Sequence, residues 1–264
     1  MPASLRPAPF VLVSTSHGAL IVNHNDYQMV GADNAYGVGH QLLANSSYEP
    51  QEVEFALAML GSRLQNFGPG VAAVDCGANI GVHTVEWARL LHGSGTVLAF
   101  EAQEKIFYAL AGNIVLNNCL NVTARHCAVG AGCGTAEYDE PDYNAPASFG
   151  SVALGGAAQH GGAGRRKRVE MVSLDSLELP RLDFLKIDVE GMELDVLEGA
   201  AASLARFRPQ LIVEVLRSDA GRIARTLEEA GYRTYAAGMN LVAVHASDPA
   251  LARISAAGGG LRFA

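Results

Sequence analysis

This 264-residue chain lacks paired cysteines, membrane-length apolar runs and any broad excess of positive charge. Its four cysteines, Cys76, Cys119, Cys127 and Cys133, form no CxxC pair, and no Cys/His grouping has zinc-finger spacing. Neither a structural zinc nor a disulfide framework is indicated, and reduced thiols in a cytoplasmic setting are expected. No apolar stretch nears the roughly 20 residues that span a bilayer. The run Phe10-Val11-Leu12-Val13, preceded by Pro7 and Pro9, is too short and broken for a signal peptide. The 19 basic and 27 acidic residues leave a net charge of −8, which argues against wrapping a phosphate backbone. Neither a nucleic-acid nor a membrane partner is expected. The one basic run, Arg165-Arg166-Lys167-Arg168, reads as a solvated loop, with an anionic-substrate patch as the other reading.

What is present is a globular composition, 49% apolar and only 17% charged. Residues 1–48 are rich in turn formers, with a short strand near Ala19–Val22, and read as an N-terminal cap or substrate-facing segment. Val53, Leu57, Leu60 and Leu64 then recur at helical spacing, and Gly68-Pro69-Gly70 ends that helix. From Val71 onward, short apolar runs alternate with amphipathic stretches. Strands are predicted at Val71–Asp75, Thr96–Phe100, Asn121–Cys127, Phe184–Asp188 and Pro209–Val215. Helices are predicted at Ile80–Leu91, Gln103–Asn117, Met192–Leu204 and Ala220–Ala230, and a closing strand pair at Tyr232–Ala237 and Leu241–His245. Buried strands separated by helices imply an α/β fold: a mostly parallel, doubly wound sheet with helices on both faces and an antiparallel C-terminal pair. The pattern lapses after Val129, and an irregular insertion of about 139–168, rich in glycine, is expected to be functional or mobile.

In such a sheet, ligands sit beyond the carboxyl ends of the strands. The first strand runs into Asp75-Cys76-Gly77-Ala78-Asn79-Ile80-Gly81, where Gly77 permits a tight turn and Gly81 a close helix. No second glycine follows at the GxGxxG position, so a pyrophosphate has no prepared cradle. Asp75 and the loop amides instead suit an ammonium and a carboxylate, as in the methionine part of S-adenosylmethionine (SAM). Glu101, closing the next strand, suits the two ribose hydroxyls. A plain structural turn is the competing reading.

Several pieces resemble, in order, the FkbM-type methyltransferases: Val74 to Gly81, Ala99-Phe100-Glu101-Ala102, Asn113 to Asn117, Asn121-Val122, Ala128-Val129-Gly130 and Ser148-Phe149-Gly150-Ser151. Lys186-Ile187-Asp188-Val189-Glu190-Gly191-Met192-Glu193, continued by Val196 to Ala200, completes the series, and the resemblance spans about residues 48–215. It implies a Rossmann-like class I methyltransferase fold over residues 49–264, SAM as methyl donor, and a hydroxyl acceptor on a sugar or natural product. Carried over by position, Asp75, Gly77, Asn79, Gly81, Glu101, Ala102 and Ala128 would bind the cofactor. The sequence departs at Ala102, where proline is common, and at Cys76, where valine or isoleucine is frequent.

Methyl transfer to a hydroxyl needs positioning and removal of a proton. Asp188, Glu190 and Glu214 stand at strand ends that can converge, and are the candidate catalytic acids. A base or positioning role is preferred over Mg²⁺ held by Asp188 and Glu214, and helix capping by Glu190 and Glu193 is the bland alternative. His83, Tyr143, Asn144 and Phe149 are candidate acceptor contacts, and Tyr27, Tyr36 and Tyr48 candidates to line the cap. The expected partner is a small molecule or glycan. A nicotinamide-dependent oxidoreductase and a non-catalytic Rossmann-like module are the competing classes.

Overall fold

Apolar segments without a polar face are stable only between two covering layers, and the chain places its shortest, most apolar runs there. The computed structural model describes residues 6–31, 34–155, 165–257 and 260–263. In chain order the N-terminal elements are β1 (Phe10–Thr15), β2 (Gly18–Asn23), β3 (Gln28–Val30), β4 (Asn34–Tyr36), α1 (Val38–Asn45) and α2 (Pro50–Phe67). Next come β5 (Val71–Cys76), α3 (Val82–Leu90), β6 (Gly95–Phe100), α4 (Glu104–Leu116), β7 (Val122–Arg125), β8 (Ala128–Val129), β9 (Gly134–Asp139) and β10 (Arg166–Val172). The remainder is β11 (Phe184–Ile187), α5 (Glu193–Glu198), α6 (Ala201–Phe207), β12 (Gln210–Glu214), α7 (Ala220–Glu229), β13 (Tyr232–Ala237), β14 (Asn240–His245), β15 (Ile254–Ala257) and β16 (Gly260–Phe263).

The central sheet has the order β13-β14-β12-β11-β5-β6-β7. Strands β12, β11, β5, β6 and β7 are parallel, while β14 is antiparallel to both β12 and β13. This is the doubly wound α/β sheet with an antiparallel C-terminal pair that the hydrophobic pattern predicts. Successive residues of β11 enter opposite layers, as the pleat requires. Leu185 packs with Val196, Leu204, Ile223 and Leu227 of α5 to α7. Phe184 packs on the other face with Met59, Leu60 and Val85, and meets Trp87 edge-on at 5.1 Å between ring centres. Each such side chain stabilises the fold by about 1.5–3 kcal/mol.

The β1–β2 hairpin lies against α4, where Asn113 accepts from the Ile21 amide and donates to the Ile80 carbonyl. Leu20, Val22 and Leu42 therefore share one apolar cluster with Ile80, Val82, Ile106 and Phe149.

Three details differ from the sequence reading. Part of the supposed lapse after Val129 is a small sheet of order β8-β10-β9. β8 is only two residues long and β9 and β10 mix polar with apolar residues, so none shows the apolar run of the central strands. Arg166, Lys167 and Arg168 belong to β10 rather than a loop, with Arg166 and Arg168 paired to Glu137 and Lys167 to Glu104. The helix predicted over Met192–Leu204 is two helices, interrupted at Gly199 and Ala200, where the Gly199 carbonyl accepts the Asp175 amide and a Cβ on Gly199 would stand 2.1 Å from the Gly130 carbonyl oxygen. Of the glycine-rich insertion, residues 156–164 lie outside the described residues.

Candidate active site

The order of strands reverses between β5 and β11, and at such a point the connections leave on opposite sides and open a crevice beyond the carboxyl ends. An open cleft, about 810 Å³ with the solvent at its mouth included, lies at this point, bounded by the ends of β5, β6, β8, β11 and β12. Gly77 (φ 81°) makes the crossing possible: a Cβ on it would stand 1.8 Å from the Asp188 carbonyl oxygen.

At one end the cleft is apolar with a single acid. Ala102, Cys127, Ala128, Val129, Val152 and Leu154 form its walls, and Glu101 its floor. The Glu101 carboxylate accepts the Asn79 amide at 3.0 Å and the Gln103 amide at 2.7 Å, one on each oxygen. That pins the carboxylate while leaving each oxygen another lone pair. Burial pushes its pKa up to about 7 against the lowering effect of those two amides.

The loop amides expected to take an anion have partners within the protein. Gly77 and Ala78 donate to the Phe100 carbonyl, Asn79 to Glu101, Ile80 to the Asn79 side chain, and Gly81 to the Ala78 carbonyl. Asp75 also stays out of the cleft. It is 1% exposed, accepts a 2.6 Å hydrogen bond from Thr84 in the first turn of α3, and keeps its Oδ1 without a partner. Gly81 packs toward Leu110 of α4 rather than toward the cleft. Gly77, Asn79, Glu101, Ala102 and Ala128 are the predicted cofactor residues that line it.

The other end is charged. Asp188, Glu190 and Glu214 each bring a carboxylate oxygen within 4.8 Å of the others. Lys186, buried beneath them, donates to Asp188 Oδ2 at 2.8 Å. Burial opposes the Lys186 charge, yet Asp188, Asp75 and Glu52 outweigh it and raise its pKa. Arg217 Nε lies 2.8 Å from Glu190 Oε2. Among the described residues, Glu214 has no cation within ion-pair distance, and its buried Oε2 has no hydrogen-bond partner. Burial and the neighbouring acids lift Glu190 to about 7 and Glu214 to about 8. Tyr36 and Tyr48 complete this end. Burial, then the charges of Glu214, Asp188 and Glu190, raise the Tyr36 phenol to about 12.

The capping alternative divides between two residues. Glu193 accepts from the amides of Val189 and Gly191 and from the Ser218 hydroxyl, so it is structural. Glu190, at φ 56°, turns its carboxylate to the cleft instead.

The four predicted acceptor contacts are absent from the cleft lining. His83 is buried against Trp87 with Nε2 3.1 Å from Glu52. Burial works against the Glu52 charge, but His83, Lys186 and Asn240 outweigh it and hold its pKa at about 2. Phe149 is fully buried in the N-terminal cluster, and Tyr143 packs on it with its hydroxyl on Gln103. Asn144 is held on the surface by Asp142. The neighbours Ser148, Gly150 and Ser151 face the cleft in their place. Tyr36 and Tyr48 do line it, and Tyr27 does not. Sequence reasoning passed over Lys186, Gln103 and Arg217. A lysine inside an otherwise apolar strand was the available signal for Lys186, since such a charge is buried only with a partner.

A sequence model of the methyltransferase FkbM domain matches residues 75–234. Methyltransferase sdnD of Sordaria araneosa is 27% identical over 195 residues, covering 60% of this chain and 72% of that protein. Among solved structures, methyltransferase FkbM from Methylobacillus flagellatus is 16% identical with a TM-score of 0.49, covering 74% of this chain and 49% of that one. This chain thus spans about half that protein's length. A methyltransferase from Geobacter sulfurreducens is 15% identical with a TM-score of 0.44, covering 77% and 84% of the two chains. Among the described residues, no helix is long and apolar enough to cross a membrane.

Proposed function

This chain belongs to the FkbM methyltransferase family, and we propose that it is a SAM-dependent methyltransferase acting on a hydroxyl group of a small natural product or sugar. The residues fit the cofactor at the apolar end of the cleft. Glu101 keeps acceptor capacity for a ribose diol, Ala102, Ala128, Val152 and Leu154 offer a slot for a purine, and Gly77 and Asn79 underlie the remainder. When bound, SAM supplies a methyl carbon made electrophilic by its sulfonium.

The acceptor then belongs at the acidic end, and the observation that carries this reading is the unequal charge balance there. Asp188 is ion-paired with Lys186 and Glu190 with Arg217, whereas Glu214 has no ion pair among the described residues and feels Lys186 only at longer range. A carboxylate whose proton affinity lies near neutrality suits the removal of a hydroxyl proton as the new carbon–oxygen bond forms. Asp188 and Glu190, each held by a cation, orient the acceptor, and Tyr36 and Tyr48 give it an aromatic edge.

Glu214→Gln and Asp188→Asn should each cut turnover by about 10²–10⁴-fold while leaving affinity for S-adenosylhomocysteine (SAH) nearly unchanged. The assay is SAH release over a panel of hydroxylated small molecules and glycans, with mass spectrometry locating the methyl group. Methyl found on nitrogen or carbon would overturn the hydroxyl assignment, and full turnover in Glu214→Gln the choice of base. One observation favours a second reading, a divalent cation on Asp188, Glu190 and Glu214: their oxygens are close enough together to share one. Because Lys186 and Arg217 already neutralise two of the three acids, a chelator is expected to have no effect. Inhibition reversed by Mg²⁺ would reverse that preference.

A further inference from the structure

The two ends of the cleft are walled by segments far apart in sequence, and both walls rest on one buried side chain. Asp26 is 4% exposed. Its Oδ1 accepts the Phe149 amide and its Oδ2 the Gly39 amide, both at 2.9 Å. The first bond holds the turn whose neighbours Ser148 and Gly150 line the nucleoside end. The second holds the start of α1, directly after Tyr36 and Val38, which line the acceptor end.

The backbone is shaped to seat this carboxylate. A Cβ on Gly37 would stand 2.4 Å from the Asp26 carbonyl oxygen, and one on Gly39 2.7 Å from the Asp26 Cβ. The Asp26 carbonyl also accepts from His40, and Asp26 forms a parallel bridge with Ala147. Gln103 extends the connection to the ribose acid: its amide donates to Glu101 and its Nε2 to the Phe149 carbonyl at 2.7 Å. Glu101, Gln103, Phe149, Asp26 and Gly39 thus form one continuous chain of hydrogen bonds through the protein interior.

We propose that Asp26 is a positioning residue that couples the two ends of the cleft, so that filling the nucleoside end sets the acceptor wall carrying Tyr36. Both walls present an N–H, so the tie requires a side chain that accepts on both of its terminal atoms. A carboxylate does so. A carboxamide must turn an N–H against one of the two donors and release that wall. Coupling of this kind travels through a contiguous bonded network with no contact between Asp26 and either ligand. The inference rests on the reading of the cleft as a SAM site.

The test is hydrogen exchange with SAH as the probe, comparing the wild-type chain with Asp26→Asn. In the wild type, SAH should slow exchange about threefold or more in both residues 148–152 and residues 37–42. In Asp26→Asn, SAH should still bind and still protect 148–152, while its effect on 37–42 disappears. A merely structural role would speed exchange equally with and without SAH, leaving the SAH-dependent difference intact, and that result overturns the proposal. So does wild-type protection confined to 148–152. If the wild type fails to bind SAH at all, the cofactor reading falls and this inference with it. Should Asp26→Asn not fold, Asp26→Ser, which keeps one acceptor in less volume, is read by the same criteria.

Discussion

Replacing Glu101 by glutamine separates the charge of the acid proposed to hold the ribose from its shape. In the native protein each carboxylate oxygen already accepts one backbone amide, from Asn79 on Oε2 and from Gln103 on Oε1. Glutamine fills the same volume, but whichever way its amide turns, the NH₂ faces one of those N–H groups. Leaving a buried donor unpaired costs about 1–3 kcal/mol, and much of that cost falls on the free protein as lost stability. A charge-assisted hydrogen bond to the ribose, about 1.5–3 kcal/mol, disappears only from the complex. The dissociation constant should therefore rise by about 10- to 150-fold. Titration calorimetry with SAH measures this directly, and thermal unfolding of the free variant reads the stability loss. The wild type adds a pH signature. With Glu101 at about 7 in the free protein, the fully accepting form is populated as the pH rises, so affinity should strengthen through neutrality in the wild type and lose that component in Glu101→Gln. A folded Glu101→Gln variant that binds SAH within about threefold of the wild type would remove the ribose role.

Three further outcomes are expected. Gly77→Ala places a Cβ 1.8 Å from the Asp188 carbonyl at φ 81°, so it should destabilise by more than about 1 kcal/mol in urea unfolding; an unaltered midpoint would contradict the close crossing. Lys186→Met strips Asp188 of its 2.8 Å partner in the floor of the cleft and should cost about 3 kcal/mol, at the lower end for a broken buried pair because Asp188 is partly exposed; a loss below about 1 kcal/mol would mean the pair is solvated. Glu214 titrates at about 8 when folded against an ordinary value of 4.5. Between those values the folded protein holds a proton that the unfolded chain has released, so this group's contribution is full below about pH 4.5 and declines as the pH rises through 8. Glu214→Gln should flatten the fall in thermal stability between pH 5 and 8, and an unchanged slope would place the titration elsewhere.

The sheet was legible because burial on both faces leaves a direct trace: β5, β11 and β12 are largely apolar, with their few polar residues mostly at the strand ends. The β8-β10-β9 sheet left no such trace, since its strands are short or half exposed and Gly134 and Arg166 read equally well as turn residues. At the site, the residues at strand ends could be placed from topology alone, which is why Glu101, Asp188, Glu190 and Glu214 meet at one cleft. Side-chain direction was the hidden variable. Asp75 points to Thr84 in α3, and His83, only four residues past Asn79, turns to Glu52 in α2. Phe149 illustrates the same limit: its own ring is core, while the small residues on either side of it face the cleft. The N-terminal contribution was the least legible, because Asp26 acts through two backbone amides 13 and 123 residues away.

The two ends of the cleft differ in how much the protein settles before a ligand arrives. At the nucleoside end the backbone around Glu101 is already settled: the loop amides of residues 77–81 are all taken, and the carboxylate has both amide donors in place. Such a site loses little entropy on binding and discriminates by shape. At the acceptor end three carboxylates face two cations, so one negative charge remains without a counterpart in a partly desolvated pocket. A proton balances it in the free protein, as the raised pKa values of Glu190 and Glu214 express. A positively charged cofactor in the neighbouring lobe favours the ionised carboxylate and so drives that proton off. On the proposed reading, the acid that accepts the substrate's proton is thereby emptied by the same event that brings the methyl donor, and once that positive charge is spent the reason to stay ionised goes with it.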